Sequence, residues 1–249
     1  MNNIKQYVLL LLVIPILSGC VVQKGIDFGH WAKTAERIKL VKIFAPQNAS
    51  KMSGQEQILF VPVLGTMPEE LKPIINDNFY QEIRNYVPAR TFTVSDDSAN
   101  AEYLSKKNLI GTGDMINTTE IARLGSIFEA TDVLVIFIRN LRPYPPQVLS
   151  FQLVMVNTAS TEIRLKIDGT FDASEQQVVL ALADHMQSRR ARKFDAQNLD
   201  VMLQSPKEFS SFVASYTSHA LARELVGDKA FKNMTTLADN KGTTSHEDR

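Results

Sequence analysis

A second cysteine is missing from this chain. Of 249 residues only Cys20 carries a thiol, so no disulfide can form within the chain and no cysteine-based zinc set can be completed. Charge of one sign is missing too. The 27 Lys and Arg residues match 27 Asp and Glu, which excludes the basic surplus usual in nucleic-acid binders, and no nucleic-acid partner is expected. Long apolar runs are short of what a membrane span demands. Tyr7 to Leu17 (YVLLLLVIPIL) holds eleven residues, against about 20 for a helix that crosses the bilayer. His30, His185, His219 and His246 are scattered with no pair at i,i+4. HExxH, GxSxG and GxxxxGK[ST] are absent, which removes the commonest catalysts and phosphate binders, and no catalytic residue, metal or dissociable cofactor is expected.

What is present begins with Leu17-Ser18-Gly19-Cys20. Lys5 supplies a cationic start, Tyr7 to Leu17 a short apolar core, and Ser18 and Gly19 the small residues before a cysteine. This is the pattern of a bacterial lipoprotein signal, read as a targeting segment (1–19) cut between Gly19 and Cys20. The expected modification is a diacylglyceryl group on the Cys20 sulfur and an acyl chain on its amino group, enough hydrocarbon for stable anchoring. Residues 21 and 22 are Val and Val rather than Asp. By resemblance to enterobacterial lipoproteins this implies sorting to the outer membrane, facing the periplasm.

The remaining residues, about 230, are enough for one substantial domain or two small ones held by their own core. Residues 20–57 read as lipidated tether and linker. Trp31, Ala35, Ile38, Val41 and Phe44 recur at helical spacing, and a helix is expected over His30 to Phe44. Ile58 to Leu64 (ILFVPVL) suits a strand buried on both faces, although Pro62 cannot donate to a ladder. Thr66 and Glu69 form a capping-box pattern ahead of a helical stripe through Leu71, Ile75, Phe79 and Ile83, with Pro73 delaying the regular start. Thr91 to Val94 is a short strand candidate.

Asn117 with Glu120 opens a second helix whose face is Ile121, Leu124, Ile127 and Phe128. Thr131 to Arg139 is a strand with an unbroken apolar centre. Pro143, Pro145 and Pro146 force a loop. Val148 to Val156 and Ile163 to Phe171 alternate and are joined by Asn157 to Thr161, a hairpin. Ser174 to about Lys193 is helical, and Ser205-Pro206-Lys207-Glu208 caps a further helix along Phe209, Phe212, Val213, Tyr216 and Ala220. The expected architecture is α/β (α+β): a mixed sheet with flanking helices over 58–173, a hairpin, a helical part over 174–231 packed on it, and a disordered polar tail over 232–249.

The order of elements resembles the α/β core of curli-secretion, flagellar and polysaccharide-export outer-membrane lipoproteins. The residues that carry the resemblance are Ile58 to Leu64, Ile121-Ala122-Arg123-Leu124-Gly125 before Thr131 to Leu134, and Leu153 to Thr158 entering the hairpin turn. It spans roughly 58–171 and implies a fold and an envelope setting.

Two surfaces stand out as partner candidates. Arg189, Arg190, Arg192 and Lys193 cluster at the end of a predicted helix, where cations also meet the negative end of the dipole. Tyr144 sits among prolines, and a rigid exposed aromatic loses little entropy on binding. Gly111 to Asp114 reads as a turn that can also face an anion, and Asp96-Asp97 as a solvated loop. The function expected is non-enzymatic: an anchored component of a secretion, pilus, flagellar or surface-polymer machine that binds envelope proteins or copies of itself. The alternatives are a lipid-anchored enzyme with an unmarked site and a binding module for a cell-wall or small ligand.

Overall fold

The computed structural model describes residues 40–46, 51–94, 109, 116–189 and 196–227. The predicted signal and tether up to residue 39, the loops with Asp96-Asp97 and Gly111 to Asp114, and the tail lie outside them.

Seven strands and five helices follow in the order β1 (Val41–Phe44), β2 (Gln57–Phe60), β3 (Leu64–Gly65), α1 (Lys72–Tyr86), β4 (Thr91–Val94), α2 (Thr118–Ile127), β5 (Asp132–Arg142), β6 (Val148–Asn157), β7 (Ile163–Asp172), α3 (Gln176–Arg189), α4 (Ala196–Gln204) and α5 (Pro206–Val226). The strands form one sheet in the order β1-β7-β6-β5-β2-β4, with β3 also on β5. It is mixed: β2 runs parallel to β4 and β5, while β5, β6, β7 and β1 form an antiparallel meander. The chain is therefore an α/β protein of the expected class.

Proline explains one departure. The apolar run from Ile58 is not a single strand, because Pro62 has no N–H to give. Pairing with β5 stops after Phe60, and Val61 still donates to the Leu134 carbonyl at 2.9 Å. Val63 donates to the Asn76 side chain of α1 at 2.9 Å. Pairing then resumes at β3. Gly65 has φ +122°, and a Cβ there would lie 2.3 Å from the Ile138 carbonyl oxygen. Only glycine fits this close approach.

Further corrections come from the ends of the chain. Val41–Phe44 is strand β1, paired with β7 from Val41↔Gly169 to Phe44↔Lys166, not the end of a helix. The sheet thus draws on residues that read as tether and linker. Met52 is also core, its N–H donating to the Leu225 carbonyl at 2.9 Å. Thr66 and Glu69 do not cap α1, whose N-cap is Leu71 with no side-chain bond. The other predicted caps hold: Asn117 accepts from the Glu120 N–H at 3.2 Å, and Ser205 from the Glu208 N–H at 3.4 Å. Ile127, expected on the buried face of α2, is 57% exposed. Helix α4 was not foreseen.

The alternation of each strand sorts the core into two layers. Phe60, Leu134, Ile136, Phe151, Leu153, Leu165, Ile167 and Phe171 face α1, α3 and α5, meeting Phe79, Leu182 and Phe212. Leu59, Val133, Val135, Val154 and Val156 face α2 through Ile121 and Leu124. A bulge between Met155 and Val156 shifts the register, so Ile163 joins the second layer instead of lining up with Leu165. In the first layer the Phe151 ring covers its cross-strand partner Gly169, 2.6 Å from where a Cβ would stand. A glycine opposite an aromatic lets the ring lie flat on the sheet.

Candidate interaction surface

Helix α2 has ten residues and so extends only about 15 Å. Among the described residues it packs on β5 and β6 through Ile121 and Leu124, and the stretch of this face around Asp168 and Thr170 carries no helix. The strands there turn out polar residues that bind one another. Gln152 donates to Asp168 Oδ1 at 2.8 Å, Lys166 Nζ lies 3.2 Å from Asp168 Oδ2, and Arg139 Nη1 lies 3.6 Å from Oδ1. The Ser150 and Thr170 hydroxyls are 3.0 Å apart. Lys166 also sits 5.4 Å above the Phe44 ring of β1. Asp168 thus has three partners, which makes this strip a satisfied surface lattice.

The strip ends at the β5–β6 loop. The rings of Pro143, Pro145 and Pro146 restrict its backbone. Arg142 Nε donates to the Pro146 carbonyl at 2.6 Å, and its Nη2 stands 3.9 Å from Asp172. The Ser174 hydroxyl and backbone N–H outweigh the upward push of burial and hold the Asp172 carboxyl below its ordinary range, with Arg142 adding a lesser lowering effect. Gln147 donates to the Leu203 carbonyl at the end of α4, and its own carbonyl accepts from Ala173. Fixed on both sides, the loop presents Tyr144 at 77% exposure.

A second polar cluster closes the opposite end of the sheet. Asp132 is fully buried. It accepts from Arg164 Nη1 at 2.9 Å, Thr131 Oγ1 at 3.1 Å and Asn157 Nδ2 at 3.4 Å. Arg164 Nη2 also lies 3.7 Å from Glu56. Burial pushes the Glu56 carboxyl up, but the backbone N–H groups of Ser53, Glu56 and Gly54, with Arg164, outweigh it and hold the group below its ordinary value. The arrangement ties together the starts of β2, β5 and β7.

The histidines in the described residues have aromatic neighbours. His219 meets Tyr86 edge to face at 4.1 Å, and His185 lies 5.5 Å from Phe212. Among the described residues no group of three His, Cys, Asp or Glu side chains is placed to hold a metal ion. No helix among them is long and apolar enough to cross a membrane.

Of the sequence-derived site residues, Tyr144 is placed as described. Arg189 closes α3, whereas Arg190, Arg192 and Lys193, like Gly19 and Cys20, lie outside the described residues. The basic stretch leads into α4, the helix that Gln147 ties to the Tyr144 loop. Sequence reasoning missed Gln147 and the Asp168 lattice. Alternation of Ser150 and Gln152 with Leu149, Phe151 and Leu153 marks the polar side, but not which partners meet across it.

The fold and surface define an α/β domain with one face closed by helices and the other half polar. No family model matches the sequence, and no curated protein matches it. Among solved structures the chain is similar to the PelC dodecamer from Paraburkholderia phytofirmans, at 9% identity and a TM-score of 0.38 over 57% of this chain and 87% of that one. It is also similar to the lipoprotein GNA1162 from Neisseria meningitidis, at 16% identity and a TM-score of 0.36 over 56% and 99%. Both likenesses are distant.

Proposed function

We propose that this chain is a lipid-anchored component of the bacterial envelope that works by protein contact, not catalysis. Cys20 carries the lipid, and the body faces the periplasm from the outer membrane as part of a secretion, pilus, flagellar or surface-polymer machine. The observation that carries the contact role is Tyr144, held far out of a closed core by a loop fastened through Arg142 and Gln147. An aromatic fixed before binding keeps more of its contact energy than one that must be ordered. The basic stretch Arg189 to Lys193 is the second partner surface. The charged groups of the open strip support the same reading, because Asp168 is already engaged by neighbours on its own sheet.

The test has two arms. Intact mass of the membrane-extracted protein is expected to give an acylated N-terminus at Cys20, and Cys20→Ser to leave the chain unprocessed or released; another N-terminus, or no acyl mass, overturns the anchor. Tyr144→Ala is expected to stay within about 0.5 kcal/mol of wild-type stability, as exposed substitutions do, and to lose co-purifying envelope proteins. The Arg189→Ala, Arg190→Ala, Arg192→Ala variant is expected to behave likewise. Unchanged partner sets in both remove these surfaces, and turnover of a cell-wall substrate by a wild-type protein that captures nothing favours an enzyme.

A further inference from the structure

Strand β1 stands at the end of the sheet, with β7 on one side and no strand on the other among the described residues. An edge strand carries a row of N–H and C=O groups that only another strand satisfies well, and natural proteins protect such edges with charge, proline or a cover. β1 has one such charge, Lys42, and Pro46 follows two residues beyond the strand, but its other side chains are apolar. Its sequence is Val41-Lys42-Ile43-Phe44, with Ile43 38% and Phe44 52% exposed. The register with β7 puts Lys42 and Phe44 on the polar side of the sheet, across from Asp168 and Lys166, and Ile43 on the other side, across from Ile167.

We propose that β1 is the site where a second copy of this chain docks, antiparallel, β1 against β1 about a two-fold axis through Ile43. The choice of axis follows from side-chain chemistry. Paired residues in an antiparallel ladder share a face, so an axis normal to the sheet must pass through one residue of each strand. Through Lys42 it opposes two ammonium groups, which is repulsive. Through Ile43 it sets Ile43 against its own copy and Lys42 across from the partner's Phe44 on the polar face, a cation facing a ring. β1 already makes that contact with β7, where Lys166 lies over Phe44. The contact is isologous and closes on itself, so it gives a dimer and not a filament.

Four residues are a short interface, and here the inference rests on the proposed lipid anchor. Two chains confined to one leaflet meet at a raised effective concentration, which makes a weak pairing sufficient. Leu40 lies twenty positions beyond Cys20, a reach of up to roughly 70 Å if extended. The two β1 strands start at opposite ends of a four-residue ladder, and both tethers span that offset with length to spare.

The experiment is cysteine cross-linking of the full chain in membranes, with Cys20 blocked by its lipid. In this register Ile43→Cys meets its own copy. Lys42→Cys alone, or Phe44→Cys alone, places its thiols on Cα atoms about 8 Å apart, beyond the about 7 Å a disulfide can bridge. Mild oxidation is expected to give roughly tenfold more dimer for Ile43→Cys than for either single neighbour, and to restore the dimer when Lys42→Cys and Phe44→Cys chains are co-expressed, as their Cα atoms then lie within bridging range. Equal yields at all three positions, or none at Ile43, overturn the pairing. Fractionation of the same cells reads the anchor separately. Anchored protein without register-specific dimers defeats the pairing alone, whereas such dimers in the soluble fraction uphold the pairing and defeat the anchor.

Discussion

Strands β6 and β7 turn Phe151, Leu153 and Phe171 toward three helices, and on the reverse side of the same strands they turn Ser150, Asp168 and Thr170 outward. The first side is a chain of aromatic contacts: Phe79 to Phe151 at 5.5 Å, Phe151 to Phe171 at 6.2 Å, Phe171 to Phe212 at 5.7 Å. The second is a lattice of hydrogen bonds and ion pairs partly open to water. Folding free energy comes mainly from the first, because apolar burial is the dominant favourable contribution while exposed ion pairs contribute about 0 to 1 kcal/mol. The polar side is thus free to vary for the sake of contact, and the aromatic side is not.

The sharpest way to break this asymmetry is to cut one residue from each side. Phe151→Ala is expected to cost about 3 to 5 kcal/mol, since it empties the ring from the core and uncovers Gly169. Thr170→Ala, on the opposite face one residue along from Gly169, is expected to stay within about 0.5 kcal/mol. Urea unfolding of both variants decides it, and equal losses would mean the two faces share the core.

Asp132 tests whether polar groups always matter little here. Arg164→Ala removes its only cationic partner named above and is expected to cost about 3 kcal/mol, as breaking a buried pair does. It should also change the acid limb of stability. Glu56 is held below its ordinary value of 4.5, so its contribution is complete above that pH and is lost as pH falls through the lower folded-state value. Without Arg164 part of that lowering disappears, and the difference between variant and wild type should narrow as the pH is taken down through this window.

Asp184 on α3 gives the smallest effect and the opposite sign. Burial alone pushes its carboxyl above 3.8, so its ionised form opposes folding. The relative benefit of the protonated group is present below the ordinary value and is lost as pH rises through the raised one. Asp184→Asn should therefore raise Tm slightly at neutral pH and leave it unchanged in acid. A fall in Tm at neutral pH would show instead that the carboxylate has a stabilising partner.

Much of this fold was legible because long periodic segments leave few alternatives. β6 and β7 declare themselves by alternation, β5 by its unbroken apolar centre, α1 by its helical stripe, and α2 and α5 by the caps Asn117 and Ser205. β1 did not, because a four-residue strand cannot establish a period of two against Trp31, Ala35, Ile38, Val41 and Phe44, whose spacing mimics a helix. α4 was hidden for a similar reason: it has nine residues, and among its described side chains Leu199, Met202 and Leu203 lie on the inner side while Val201 points out. The Asp132–Arg164 pair spans 32 positions, and nothing local in either residue names the other. Of the candidate surface, Tyr144 was visible from its prolines, while the bonds that fix the loop come from Gln147 and α4, far away in sequence.

Leu40 donates its N–H to the Tyr216 hydroxyl at 3.3 Å. Burial pushes that phenol up, and the Leu40 N–H and Arg223 act against it. Beyond β1, Lys51 reaches the Glu224 carbonyl at 2.5 Å and Met52 the Leu225 carbonyl at 2.9 Å. Among the described residues, a pull from the N-terminal side would therefore load Leu40 and Tyr216 first. The β1–β7 ladder is loaded next, and behind it stand the fastenings of residues 51 and 52 to the last turn of α5. Helix α5, the longest of the described helices at 21 residues, thus receives both the Leu40 bond and the fastenings of residues 51 and 52. Tension applied at Leu40 would be shared between an edge strand and this helix before it reached the central strands.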